Sequence, residues 1–122
     1  MAVDQAPYSV AKHATIIKAM VWAQKILNLR DWEVDLSFGD TLPEWCDPEG
    51  GLSGQSTTHP THLTAAIWVS PRGCKASDYH PVSVALHEML HIFFHNYNIL
   101  EQDERMINIM EELLYKQWRA ER

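Results

Sequence analysis

With 122 residues, 46% of them hydrophobic and 21% charged, the chain has the size and composition of one globular domain with a single core. Its net charge of -6 works against binding duplex nucleic acid, which needs cations to neutralise phosphates, and no apolar run approaches the roughly 18 residues that span a bilayer. Cys46 and Cys74 are too few for a disulfide scaffold, and Met1 to Tyr8 has neither the basic nor the apolar stretch of a secretory signal; a cytoplasmic protein with two free thiols is expected.

From Ser9 to about Asn28 the residues Val10, Ile16, Ile17, Met20, Val21, Ala23, Ile26 and Leu27 recur near the helical period, and Ser9 is placed to cap a first turn. Trp32 to Phe38 alternates large apolar with polar residues and stops at Gly39-Asp40, the pattern of a half-buried strand. Thr41 to His62 is rich in Gly, Pro, Ser, Thr and Asp, and reads as a long surface loop or lid with one short strand around Leu52 to Ser56. Leu63 to Ser70 predicts a second firm strand, stopped by Pro71, and Arg72 to His80 a polar connection. Pro81 suits a first helical turn, and Val82, Val84, Ala85, Leu86, Met89, Leu90, Ile92, Phe93 and Phe94 make the next helix apolar over most of its circumference, hence buried. After a break near Asn96 to Asn98, Ile99 to Arg119 predicts a last helix with Met106, Ile107, Met110, Leu113, Leu114, Tyr115 and Trp118 toward the core. The expected fold is a single α+β domain over residues 1–122: an N-terminal helix, a small mostly antiparallel sheet, then two helices.

The chemistry is concentrated in His87-Glu88-Met89-Leu90-His91. His87 and His91 project from one face of the helix one turn apart, close enough for both imidazoles to bind one metal ion. Glu88 between them is not a ligand in such an arrangement; it is placed to take a proton from a metal-activated water and pass it to a leaving amine. Two histidines and a glutamate on an apolar helix are costly to bury without partners, which favours a metal over packed histidines. A catalytic zinc takes three protein ligands, so a third is needed, and the last helix offers Glu104 and Glu111, with Asn108 between them on the same face.

Val84 to His91 resembles the active-site helix of the gluzincins, zinc peptidases whose third ligand is a glutamate on a following helix. Glu111 stands at the spacing from the second histidine that thermolysin-like members use, whereas Glu104 is followed by Asn108 in the Glu-x-x-x-Asn pattern of compact ImmA/IrrE-type and phage-borne peptidases. The two criteria disagree; Glu104 is the first choice, Glu111 the alternative, and Asn108 a supporting residue. The resemblance spans residues 63–115 and implies a minimal zincin-like fold, a Zn2+ cofactor, and a protein or peptide substrate held along strand 63–70 acting as an edge strand. The chain lacks the Phe-Ala continuation usual after the asparagine in ImmA/IrrE-type proteins. Tyr97 stands where metzincins have a third histidine, and no histidine follows His95, as SprT-like proteases would require.

Stabilisation of the transition state would fall to Tyr97, Arg105 or Tyr115, with Tyr79 and His80 as further candidates. His95, His59, His62 and a capping Cys46 thiolate are lesser possibilities for the metal. The expected function is zinc-dependent endopeptidase hydrolysis. The alternatives are a non-catalytic module stiffened by metal or packed histidines, and an amidohydrolase acting on a small amide in a closed pocket.

Overall fold

The computed structural model describes residues 2–97 and 104–121, with side chains from residue 12 onward. The elements follow the order α1 (Ala2–Ile26), β1 (Glu33–Phe38), β2 (Gly54–His59), β3 (Thr64–Val69), α2 (Pro71–Ser77), α3 (Pro81–Asn96) and α4 (Glu104–Ala120), an α+β arrangement. No helix among the described residues is long and apolar enough to cross a membrane.

Helix α1 starts at Ala2, so Ser9 lies inside it instead of capping it. Its end is set by Asn28, which adopts a left-handed φ of 56°, a conformation that asparagine tolerates better than most residues. The Gln24 amide then donates to the carbonyls of Leu29 and Trp32, holding the turn into β1. In β1 the alternation seen in the sequence is realised: Val34, Leu36 and Phe38 turn inward and pack against the core.

The sheet has the order β1-β3-β2 and is mixed. β2 meets β3 antiparallel, as expected, with Ser56 opposite Ile67, while β1 adds in parallel on the other side, with Leu36 opposite the same residue. This corrects the role expected of residues 63–70. β3 is the central strand, its hydrogen-bonding groups used on both sides, so it cannot serve as an edge. The open edge near α3 belongs to β2, which overlaps the short strand expected around Leu52 to Ser56 and starts two residues later. The connection after β3 is also more ordered than expected: Ser70 caps α2 by accepting from the Gly73 amide, and Pro71 opens the helix.

Helix α3 is the centre of the molecule and packs against α1, α4, β2 and β3. Ala85, Leu86, Met89, Leu90 and Ile92 are wholly buried, as a helix apolar around its circumference must be. Helix α4 is turned differently from the expectation. Ile107 and Trp118 are buried and Met110, Leu114 and Tyr115 pack on the core, but Met106 and Leu113, expected inside, face solvent. Burial of Ile107 and Trp118 fixes this rotation, and the same turn brings Glu104 and Glu111 toward α3 and leaves Met106 and Leu113 outside. Ile99 to Asp103 of the expected last helix lie outside the described residues.

Candidate metal centre

His80 begins α3 by accepting the Val82 amide on its own Nδ1, and Pro81 supplies the fixed φ of the first turn. From there the helical repeat carries Ser83, His87 and His91 along one side, one turn apart. The His87 and His91 rings stand edge to face with centroids 5.0 Å apart. Helix α4 runs back along this side: Glu104 meets both histidines, Glu111 meets His87 and Ser83, and Tyr115 meets His80.

The two glutamates do different things. Glu104 presents one oxygen to each histidine, Oε1 at 3.4 Å from His87 Nε2 and Oε2 at 3.2 Å from His91 Nε2. Donor atoms of His87, His91 and Glu104 all lie within 4.8 Å of one another, so the three can hold one metal ion. Glu111 is on the opposite side of the His87 ring, with Oε1 2.9 Å from Nδ1, while its Oε2 accepts from the Ser83 hydroxyl. A carboxylate bonded to the far nitrogen of a ligating imidazole selects the tautomer with the proton there and leaves the near nitrogen free to bind metal. Glu111 is thus a support and Glu104 the third member of the cluster. The support expected from Asn108 comes instead from Glu111; Asn108 is exposed and lines the adjoining cavity.

Electrostatics follow this packing. Burial alone would lower the His87 pKa, but the Glu111 hydrogen bond and the charges of Glu88, Glu111 and Glu104 outweigh it and raise the imidazole above its ordinary value. Glu88 is buried at 7% exposure. Burial raises its carboxyl above the usual range, the Ser56 hydrogen bond and the His87 and His91 imidazoles oppose the rise, and the Glu104 charge adds to it.

Two cavities flank this group along β2. One, of about 800 Å³, is bounded by Leu52, Tyr79, Val84, Asn108 and Glu111. The other, of about 590 Å³, is bounded by Asp47, Thr57, Thr58, His91, His95 and Glu104. Both share Gly50, Gly51, Gly54, His87 and Glu88, so Glu88 sits at the junction. Gly54 is required here, because a Cβ would stand 2.6 Å from Val84 Cγ1 and 2.7 Å from the Trp68 carbonyl oxygen.

The lid expected over Thr41 to His62 is largely tied down. Residues 54–59 are strand, and the Gln55 amide clamps the turn before it, donating to the carbonyls of Asp47 and Gly51 and accepting from the Asp47 amide.

No family model, characterised protein or solved structure matches the chain. The reading of the site therefore rests on its own geometry.

The other candidates are dispersed. Tyr97 exchanges hydrogen bonds with Asn28 at the end of α1 and stacks on Phe93, so its hydroxyl is engaged away from the histidine cluster. Tyr115 packs its ring on His80 with Arg119 over it. Arg105 is exposed on α4. Tyr79, from the connection before α3, is the aromatic hydroxyl that borders the same cavity as Glu88. His95 borders the second cavity but is outside the group that could hold a metal, and His59 and His62 are exposed at the end of β2 and in the turn that follows. Cys46 is buried; burial and the charge of Glu88 push its thiol up, which opposes a thiolate cap. The sequence reading missed Ser83 and Ser56. Ser83 had a usable signal, lying one helical turn before His87, whereas Ser56 had none, because its approach to Glu88 depends on how β2 meets α3.

Proposed function

We propose that the chain is a zinc-dependent endopeptidase of gluzincin type, with His87, His91 and Glu104 as metal ligands and Glu88 as general base. The observation that carries this reading is the closure of two histidines and a carboxylate around one point, with a buried carboxyl beside them at the junction of two cavities. The donor set suits zinc: with bonds of about 2.0–2.2 Å, tetrahedral ligands sit roughly 3.3–3.5 Å apart. The one donor atom that each residue offers lies within 4.8 Å of the other two, a spread that an ion could draw in to that spacing.

Zinc, when bound, lowers the pKa of a coordinated water to about 7 and polarises a carbonyl. The chain's own residues supply the rest. Glu88 takes the proton of the attacking water and returns it to the leaving nitrogen, a task suited to a carboxyl whose pKa is raised toward neutrality. Ser56 donates to that carboxylate and orients it, and Glu111 holds His87 in its metal-binding tautomer. The exposed edge of β2 offers unpaired backbone groups to an extended polypeptide, which supports a peptide substrate recognised by its main chain. A cavity on each side of Glu88 favours cleavage within a chain over removal of one terminal residue.

The test is metal content by elemental mass spectrometry beside hydrolysis of an unstructured protein such as casein. About one zinc per chain is expected in the wild type and in Glu88→Gln, with loss in Glu104→Ala and hydrolysis reduced roughly 10²–10⁴-fold in Glu88→Gln. A chain that takes up no zinc would sink the reading. Zinc without hydrolysis, together with unfolding on chelation, would favour a metal-stabilised binding module.

A further inference from the structure

We infer that the cavity leading away from His87 along α4 selects a lysine or arginine side chain at the residue just after the bond that is cut. This rests on the endopeptidase reading and adds a substrate class to it. Glu104, Asn108 and Glu112 recur at four-residue steps, so one face of α4 runs from the histidine cluster into the cavity of about 800 Å³. Glu112 ends this row about 12 Å from Glu104 along the helix axis.

The lining has two characters. Val84 of α3 is apolar, as are Leu52 and Tyr79, which the fold leaves 73% and 58% exposed. From α4 come Asn108, Glu111 and Glu112, and no lysine or arginine among the described residues borders the cavity. Glu111 is engaged by His87 and Ser83, whereas no described residue forms an ion pair or hydrogen bond with Glu112. A long apolar stem with a cation at its tip suits both characters: its methylenes cover Leu52 and Val84, and its head meets the Glu112 carboxylate. A short side chain would not reach Glu112, an aliphatic one would desolvate the carboxylate without pairing it, and an acidic one would be repelled by both glutamates.

Strand β2 sets which side of the cut this is. Gly54 at its start borders the larger cavity, while Thr57 and Thr58 further along border only the other. An extended substrate pairing antiparallel with the open edge, the more stable arrangement, runs from the second cavity to the first. The residue after the cut bond therefore enters the cavity that holds Glu112.

The test uses the zinc-loaded full chain and unstructured peptides that differ only in carrying Lys, Met or Glu after one cut, located by mass spectrometry. Values of kcat/KM should fall in the order Lys, Met, Glu, with Lys about fivefold above Met, the upper range for an exposed ion pair, and about 25-fold above Glu. Glu112→Gln should bring the Lys-to-Met ratio close to one, and Glu112→Lys should place Glu above Lys. Leu52→Ala should slow the Lys and Met peptides alike, because it removes apolar wall and not charge. Each readout is a ratio within one protein, so partial misfolding cancels. Equal rates for the three peptides, a preference that Glu112→Gln does not move, or selection of Lys before the cut would overturn this inference alone. No cut in any peptide would overturn the endopeptidase reading and this inference with it.

Discussion

Glu111 holds His87 from behind: its Oε1 is 2.9 Å from Nδ1, and its other oxygen is in turn held by the Ser83 hydroxyl. The Nε2 of the same ring faces Glu104. Two glutamates two turns apart on α4 therefore act on one imidazole from opposite sides. Rivals for one role in the sequence become, in three dimensions, a member of the histidine cluster and a carboxylate that braces one of its rings.

That division predicts unequal effects on metal affinity. Glu111→Ala should weaken zinc binding about 10–100-fold, the range for losing a residue that orients a ligand, while Glu104→Ala should reduce it much further. Ser83→Ala should have the smallest effect of the three. Competition against a chelating dye measures all of them, and equal losses at positions 104 and 111 would contradict the division.

The wall of the cleft depends on a close approach between α2 and the segment before β2. A Cβ at Gly73 would overlap the Leu52 carbonyl oxygen and stand 2.9 Å from the Ser53 Cα, and both are backbone atoms that cannot step aside cheaply. Gly73→Ala should therefore cost about 1–3 kcal/mol. Gly39→Ala, where nothing lies within 4 Å, should change stability far less. Midpoints of urea unfolding compare the two, and an unchanged midpoint for Gly73→Ala would show that the 50–53 segment is not fixed against α2.

Ile107 is wholly buried where α4 meets the core, whereas its neighbour Met106 faces solvent. Ile107→Ala should cost about 2–5 kcal/mol, from lost transfer energy and the cavity left behind. Met106→Ala should stay within about 0.5 kcal/mol. Because the same helix delivers Glu104 and Glu111, Ile107→Ala should also lower zinc affinity. Similar effects of the two substitutions would mean that α4 does not turn Ile107 inward and Met106 outward.

Cys74 gives the clearest pH dependence. Burial pushes its thiol from 9.0 up to about 11, so the folded state favours the protonated form. The resulting stabilisation is complete below pH 9 and is lost as pH rises through about 11, by at most about 2–3 kcal/mol. Lysines and tyrosines titrate in the same window, so the test is the difference between wild type and Cys74→Ala. That difference should shrink between pH 9 and 11 and be flat below it. Alkylation of Cys74 should likewise require unfolding at neutral pH.

Much of the molecule is legible in the order of its residues. Strand β1, the hydrophobic strand β3 and the buried α3 are announced by period and by Pro71 and Pro81, since each element's pattern reflects burial on one face or all round. His87, Glu88 and His91 are found for the same reason, because a helix turns a spacing of four into proximity. Strand β2 is only partly legible: a short strand is expected around Leu52 to Ser56, but its residues are polar, and its bounds and place come from pairing with β3 and closing on α3. The edge is misassigned with it, because strand order is a property of chain path and not of local pattern.

What the sequence determined by itself is α1, β1, β3, α3 and most of α4, and the two histidines with their glutamate, each fixed by contacts within one helix or strand. Only the tertiary structure decided which glutamate closes the cluster, which one braces it, and which strand borders the cleft. Those choices depend on how α4 rotates against α3 and how β2 sits beside it. Burying Ile107 and Trp118 sets that rotation, and the same turn that brings Glu104 and Glu111 to the histidines leaves Met106 and Leu113 outside.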